Sequence, residues 1–172
     1  MERKTKVTAE EGKHDLLITR EFDLPVDLLF KAHTEADIFE QWMSHEYGIT
    51  KVRKLEAKEH GGWRFETTDV AGNIVFQANG VFHNFIPNRR IIRTFEMDNT
   101  PFSVQLEFLE FEALTEDTSK LSLHIIYKSI ELRDQMLKMP FAQGMNMAHN
   151  RLQDILSKLF LPRRHKGTKN IS

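Results

Sequence analysis

The fold is decided by residues 140–159, which read PFAQGMNMAHNRLQDILSKL. Pro140 cannot continue a preceding helix, so a new helix is expected to begin directly after it. Apolar residues then recur at steps of mostly four and three, which predicts an amphipathic helix as far as about Leu159. Its apolar stripe consists of Phe141, Met145, Ala148, Leu152, Ile155, Leu156 and Leu159. At ~1.5 Å per residue, this helix is long enough to span one face of a sheet.

The chain from Ile49 to Lys128 has a different period, because apolar and polar residues alternate in steps of two. Turn signals divide it into six strands, and Leu16–Phe22 adds a first strand, which makes seven in a meandering antiparallel sheet. The turns are predicted at Gly61-Gly62, Ala71-Gly72-Asn73, Pro87-Asn88, Asn99-Thr100-Pro101 and Glu116-Asp117-Thr118-Ser119. The longest strand, Ile74–Ile86, is expected to bend, with a bulge or kink at Gly80.

The alternation assigns the strand residues to one dry face and one wet face of the sheet. The dry face is predicted to contain Trp63, Phe65, Ile74, Phe76, Ala78, Phe82, Phe102, Val104, Leu106, Phe108, Leu121, Leu123, Ile125 and Tyr127. The wet face is predicted to contain Arg64, Glu66, Gln77, Asn79, His83, Gln105, Glu107, Ser122 and His124. The dry face is unusually rich in aromatic residues, which suits either a filled core or the wall of a pocket.

Two short helices are predicted between the first two strands. Pro25 suits the first position of a helix, because its missing N–H would be unpaired there. Thr34 resembles a fresh N-cap and divides the region into two helices. The residues at helical spacing are Val26, Leu29, Phe30 and His33 in the first helix, and the second helix carries Ile38, Phe39 and Trp42. A further short helix is expected over Glu131 to Lys138, with Ser129 as its N-cap.

Together these elements predict an α+β helix-grip fold, in which a seven-stranded curved antiparallel sheet wraps around a long C-terminal helix. We expect a flexible N-terminal segment over residues 1–14, one domain over residues 15–160, and a basic flexible tail over residues 161–172. A hydrophobic share of 40% in 172 residues is sufficient for one core.

Composition excludes several classes of protein. The 24 Lys and Arg residues balance 25 Asp and Glu residues, so no overall field would attract nucleic acid or an anionic membrane. The chain has no cysteine, which excludes disulfides, thiolate metal sites and cysteine nucleophiles. No secretory signal and no apolar run of ~20 residues is present, so we expect a cytoplasmic protein without membrane insertion.

A series of short motifs between Asp15 and Leu159 resembles a known family, named for the activator of the heat-shock-protein-90 ATPase, within the START-like, birch-pollen-allergen-like superfamily. The motifs are Ile18-Thr19-Arg20-Glu21-Phe22-Asp23-Leu24-Pro25, Leu29-Phe30-Lys31-Ala32 with Thr34, Trp42, Gly61-Gly62-Trp63-Arg64-Phe65, Pro87 with Arg89-Arg90-Ile91-Ile92-Arg93-Thr94-Phe95, and Gly144-Met145 before Arg151-Leu152. The resemblance implies a helix-grip fold with a cavity between the sheet and the long helix, often used for lipids, sterols or polyketides.

The chain also departs from that family. The resemblance implies an aromatic residue after the glycine of the long helix, whereas this chain has the flexible Met145. Full-length co-chaperone activators carry a separate N-terminal domain, and residues 1–14 cannot form one. We therefore do not expect ATPase activation, although a chaperone partner and a homodimer both stay open.

Arg93 and His149 are the polar residues that the pattern places near the interior. Arg93 shares parity with Ile91, Phe95 and Met97, so its guanidinium should face inward and needs a partner. Either Arg93 pairs with an internal acid or extends to the mouth of the cavity, or it binds a ligand carboxylate or another anionic group. His149 lies one position off the helical stripe, and is either a satisfied core residue or a donor in the cavity.

Motifs for catalysis and for cofactors are missing from the sequence. The eight histidines have no zinc-site spacing, and there is no phosphate loop, nucleotide fingerprint or nucleophile elbow. We therefore expect no metal, no cofactor and no catalytic residue.

The sequence favours the binding or carriage of a small hydrophobic ligand. The residues predicted to line the site are Trp42, Trp63, Phe65, Phe76, Phe82, Arg93, Phe95, Leu106, Phe108, Phe141, Met145 and His149. Two alternatives are an enzyme of the cyclase or aromatase type, which would act in the same cavity, and a chaperone-associated interaction module.

Overall fold

A computed structural model describes the backbone of residues 3–169 and the side chains of residues 3–159. The strands are β1 (Lys6–Thr8), β2 (Asp15–Phe22), β3 (Ile49–Leu55), β4 (Gly62–Thr68), β5 (Ile74–Ile86), β6 (Arg90–Met97), β7 (Gln105–Ala113) and β8 (Ser119–Ile126). The helices are α1 (Val26–Thr34), α2 (Ala36–Met43), α3 (Ile130–Lys138) and α4 (Phe141–Lys169). This order of elements confirms the predicted α+β helix-grip fold.

The eight described strands form one antiparallel sheet, in the order β1-β2-β8-β7-β6-β5-β4-β3. The predicted number of strands, seven, is therefore too low by one. The extra strand is β1, in which Val7 lies opposite Ile18 of β2. Its three residues contain only one apolar position, too short a pattern to signal a strand. It lies within the segment 1–14, for which we predicted a flexible chain.

The assignment of faces is wrong for β7. Gln105, Glu107 and Leu109 point to the interior, whereas Leu106 and Phe108 lie on the outer face. The error arises because the alternation was extended from Phe102 into the strand. The strand begins only at Gln105, and Ser103 before it has a φ of 59°, a left-handed conformation that turns the chain.

The long strand β5 has an irregularity in its pairing, although not at Gly80. The pairing of β5 with β6 shifts between Phe82 and Asn84. Gly80 has a different role, since it lies opposite Trp63 and allows the indole to cover it. A β-carbon at Gly80 would overlap the carbonyl oxygen of Thr94 and lie 2.6 Å from the indole nitrogen.

Substitution of the two glycines Gly80 and Gly144 is expected to have opposite effects on stability. Gly80→Ala should lower the free energy of unfolding by about 1–3 kcal/mol, because the new methyl group must displace backbone. Gly144→Ala should raise it by roughly 0.5–1 kcal/mol, because a glycine inside a helix is unfavourable. A β-carbon at Gly144 meets no atom within 4 Å. Urea unfolding of both variants would test this pair, and a stable Gly80→Ala protein would contradict the described packing.

The helices begin largely where the sequence predicts. Ser129 caps α3 by accepting a hydrogen bond from the Leu132 backbone N–H at 3.2 Å, and α4 starts directly after Pro140. Thr34 is not the cap of α2, since Glu35 occupies that position and the Thr34 hydroxyl donates to the Phe30 carbonyl at 3.0 Å. None of the described helices has the length and hydropathy needed to cross a membrane.

Helix α4 continues to Lys169, past the predicted end at about Leu159. Leu152 and Leu156 are fully buried, so the predicted apolar stripe does face the core. The predicted flexible tail, residues 161–172, begins inside this helix. Its side chains and residues 170–172 lie outside the described part of the chain.

Candidate functional site

A cavity of about 360 Å³ lies between the inner face of the sheet and the first turns of α4. Its walls are mainly apolar side chains from β4 to β8 and from helices α2, α3 and α4. This volume falls within the ~300–1,000 Å³ range of small-molecule sites. Met139 and Gly144 line the cavity and are also exposed, which places its mouth at the break between α3 and α4.

Methionines form much of the cavity wall. Of the seven methionines in the chain, five line the cavity: Met43, Met97, Met136, Met139 and Met145. Their unbranched side chains adopt several conformations at low cost and fit irregular partners. The cavity can therefore adjust its shape to its contents.

Four polar residues, Arg93, Gln105, Glu107 and Tyr127, form what we call the polar floor of the cavity. Arg93 and Glu107 are paired across β6 and β7, and Arg93 Nε donates to Glu107 Oε1 at 2.9 Å. Gln105 Nε2 donates to the other carboxylate oxygen at 2.7 Å. The Glu107 side chain is 4% exposed and that of Arg93 15%, so the pair is shielded from solvent.

Aromatic rings hold the Arg93 guanidinium in place. Its central carbon lies 5.0 Å from the Trp63 ring centroid and 5.7 Å from that of Phe95. Both distances are within the range of a cation–π contact. Among the sequence hypotheses for Arg93, the ion pair with Glu107 corresponds to the internal acid.

Tyr127 differs from the rest of the polar floor because its side chain makes no hydrogen bond in the described structure. The residue is 2% exposed, and its hydroxyl has no hydrogen-bond partner among the described residues. Burial raises the pKa of Tyr127, and the nearby Glu107 carboxylate raises it further. The group therefore stays protonated at neutral pH and can donate.

His33 and His149 also line the cavity, and both are buried. Burial lowers the pKa of His33 to about 4, and the charge of Arg93 adds to this effect. Burial likewise lowers the pKa of His149 to about 3, with contributions from His33 and Arg20. His33 Nδ1 lies 2.9 Å from the Leu29 carbonyl, which can only accept, so Nε2 of the neutral ring is an acceptor.

These histidines should make the fold sensitive to acid. The unfolded chain binds a proton at each ring near pH 6.5, whereas the folded protein resists it down to about pH 4 at His33. The contribution of each neutral histidine to the free energy of unfolding is therefore fully present above about pH 6.5. It falls as the pH drops below that value, by about 1.4 kcal/mol per pH unit for each histidine. His33→Gln should remove one such contribution from the slope, measured by urea unfolding across this window. The exposed His83→Gln is the matched control, and an equal slope in both variants would contradict the assignment.

His149 is held in position by the N-terminal segment. Its Nδ1 lies 2.6 Å from the hydroxyl of Thr5, and the Thr5 backbone N–H donates to Asn146 at 3.0 Å. The buried Arg20 of β2 donates to Asn146 at 3.2 Å and to Asn150 at 2.9 Å. This network attaches α4 to the edge of the sheet beside the cavity.

Most of the chain matches one known protein family. Residues 23–157 match the family described as activator of Hsp90 ATPase homolog 1-like protein. The chain belongs to this family. The match covers α1 to α3, the sheet from β3 to β8 and most of α4, and therefore all residues that line the cavity.

Solved structures share the fold of this family member at low identity. A protein from Rhodobacter sphaeroides is 19% identical, with coverage of 90% of this chain and 99% of its own, at a TM-score of 0.82. A protein from Mycobacterium smegmatis is 18% identical, with coverage of 89% and 96%, at a TM-score of 0.78. One from Arthrobacter aurescens is 16% identical, with coverage of 89% and 91%, at 0.78. No curated protein matches the chain.

The structure brings together most of the residues that the sequence predicted for the site. Those that line the cavity are Trp42, Phe65, Phe76, Arg93, Phe95, Phe141, Met145 and His149. Trp63 and Phe82 are buried outside it, where Trp63 supports Arg93 from behind. Leu106 and Phe108 were expected in the site but face outward, because the inward and outward residues of β7 are the reverse of those predicted.

Four residues of the site were not predicted from the sequence: Glu107 and Gln105 were assigned to the wet face, and Tyr127 and His33 were not named as site residues. One signal for Glu107 was available, because a buried Arg93 requires a nearby acid. No signal identified Tyr127 as a residue with an unpaired hydroxyl, since that depends on every neighbour in space. In the described part of the chain, no group of three or more His, Asp or Glu residues is arranged to hold a metal ion.

Proposed function

We propose that this protein binds and carries a small, mainly apolar molecule in the cavity under α4. The observation that carries the proposal is the cavity itself, about 360 Å³ in volume and walled mostly by apolar side chains. An unfilled space in a protein interior costs on the order of 24 cal/mol per Å³. A ligand that fills this space would recover lost contacts and stabilise the folded state.

We favour binding without chemistry, because the two charged groups of the cavity neutralise each other and its histidines and Tyr127 are uncharged at neutral pH. Glu107 neutralises the charge of Arg93 through a hydrogen bond from Nε, and Gln105 donates to the second carboxylate oxygen. His33 and His149 stay neutral at pH 7 because their pKa values are lowered far below it. A cyclase or aromatase would need a group that exchanges a proton near neutral pH. The absence of cysteine fits a reducing compartment, and we propose the cytoplasm as the place of action.

Native mass spectrometry of the protein purified from its own host tests the proposal. The expected result is a small molecule bound at one per chain, which is released when the protein unfolds. After that molecule has been removed, isothermal titration should show that apolar probes bind to the empty protein. A protein that carries nothing and binds no apolar probe would refute the proposal. Conversion of the released molecule into a product on incubation would favour an enzyme instead.

The outer face of the sheet favours a second candidate function, a chaperone-associated interaction module. Leu106 and Phe108 lie outward on β7, Phe108 is paired with Ile92, and Leu17 on β2 is 41% exposed. Apolar residues on an outer face are typical of a surface that binds another protein. Measuring the rate of ATP hydrolysis by a heat-shock-protein-90 chaperone with and without this chain distinguishes the two. A changed rate would support the interaction module.

A further inference from the structure

The Tyr127 hydroxyl in the cavity wall lacks a hydrogen-bond partner in the described structure. An unsatisfied buried polar group costs about 1–3 kcal/mol, so native structures rarely keep one without a use. Tyr127 lines the cavity, is 2% exposed and has no hydrogen-bond partner for its hydroxyl in the described structure. The hydroxyl oxygen itself is covered by its neighbours. A small shift of the side chain toward the cavity would expose it, so that a ligand oxygen accepts the missing hydrogen bond.

The surroundings of Tyr127 define which kind of oxygen this is. The hydroxyl lies near the Glu107 carboxylate, which opposes formation of a second negative charge beside it. Tyr127 is therefore a donor, and the ligand group must be an acceptor such as a ketone, ester, ether or alcohol oxygen. The remaining wall around it, with Leu121, Leu123 and Ile125 on β8, is apolar.

The charges of the polar floor balance without a ligand. Glu107 neutralises Arg93, and the neutral Gln105 satisfies the second oxygen of Glu107. A ligand carboxylate would enter beside Glu107, while the cation that could attract it is already paired. A ligand cation would find no unpaired acid in the described wall. Either charge would lose its water without a new counter-charge, which is unfavourable in an apolar cavity.

We infer that the cavity selects an uncharged molecule with an apolar body and one acceptor oxygen, which Tyr127 binds. The inference rests on the proposed function and specifies the chemical class of the ligand. It makes Tyr127 the residue that orients the ligand, whereas the methionine wall accommodates its shape.

Three probes with the same naphthalene skeleton test the inference: acetylnaphthalene, ethylnaphthalene and naphthoate, each substituted at the same ring position. Isothermal titration of the full chain at neutral pH should give about two- to tenfold tighter binding of the ketone than of the hydrocarbon, the effect of one hydrogen bond. Naphthoate should bind at least about tenfold more weakly than the ketone, because its charge must be desolvated.

Tyr127→Phe should bring the ratio of ketone to hydrocarbon affinity to about one. The variant removes only an unpaired hydroxyl, so its melting temperature should be no lower than that of the unchanged protein. Tyr47→Phe is the matched control, because Tyr47 is 72% exposed and lies outside the cavity, and it should preserve the ratio. The order of the three probes on the unchanged protein tests the charge argument independently of any variant.

The outcomes separate this inference from the proposed function. Binding of naphthoate as tightly as the ketone, or an unaltered ratio in Tyr127→Phe, would overturn the inference, whereas the proposed function would stand. Failure of all three probes to bind the ligand-free protein would overturn both.

Discussion

Replacing Glu107 with leucine is expected to lower the free energy of unfolding by about 3–5 kcal/mol, because it leaves Arg93 buried without a counter-charge. The two side chains are 4% and 15% exposed, and their contact distance is 2.9 Å. The substitution also removes the carboxylate oxygen that accepts a hydrogen bond from the Gln105 amide. Urea unfolding of the variant, monitored by circular dichroism, measures the loss.

Two controls separate the effect of buried charge from that of a changed side chain. Arg93→Met together with Glu107→Leu should recover most of the lost stability, since apolar residues of similar volume can replace a buried ion pair. Arg90 and Glu110 form a second pair on the same two strands, at 2.6 Å but 45% and 47% exposed. Glu110→Leu should therefore cost no more than about 1 kcal/mol. Equal costs for Glu107→Leu and Glu110→Leu would contradict the shielded ion pair.

Replacing Ala148 with phenylalanine is expected to abolish most of the binding of an apolar ligand. Ala148 lies on α4, is 9% exposed and lines the cavity. A phenyl ring there would occupy space that the ligand uses. Displacing roughly 100 Å² of ligand contact at ~25 cal/mol per Å² corresponds to a loss of about seventyfold in affinity. Titration with acetylnaphthalene measures it.

The same substitution on the solvent side of the helix is the matched control. Ala142 lies on α4 and is exposed, so Ala142→Phe should leave ligand affinity within about twofold of that of the unchanged protein. The ring of Ala148→Phe also fills empty volume, so the ligand-free variant should not melt at a lower temperature. Unimpaired binding to Ala148→Phe would place the ligand outside this cavity.

Local patterns in the sequence were sufficient for most of the architecture. The step from a period of two to a period near 3.6 separates the sheet from α4, and Pro140 determines where that helix begins. Ser129 identified the start of α3, since an N-cap acts within one turn. The inward direction of Arg93 also followed from the alternation of the sequence along β6, which pairs with β7 without a register shift. Each of these features depends only on neighbours a few residues away.

Tertiary structure alone decided which residues of β7 face inward and which polar groups line the cavity. The left-handed conformation of Ser103 shifts the alternation after Phe102, so that Glu107 faces inward and meets Arg93 across the sheet. Strand register determines such a pair, and no local pattern records it. The cavity and the unpaired Tyr127 hydroxyl are likewise properties of many surfaces packed together, because both depend on space that no neighbour fills. The sequence by itself therefore determined a sheet that wraps around a helix, and packing determined the cavity between them and the groups that line it.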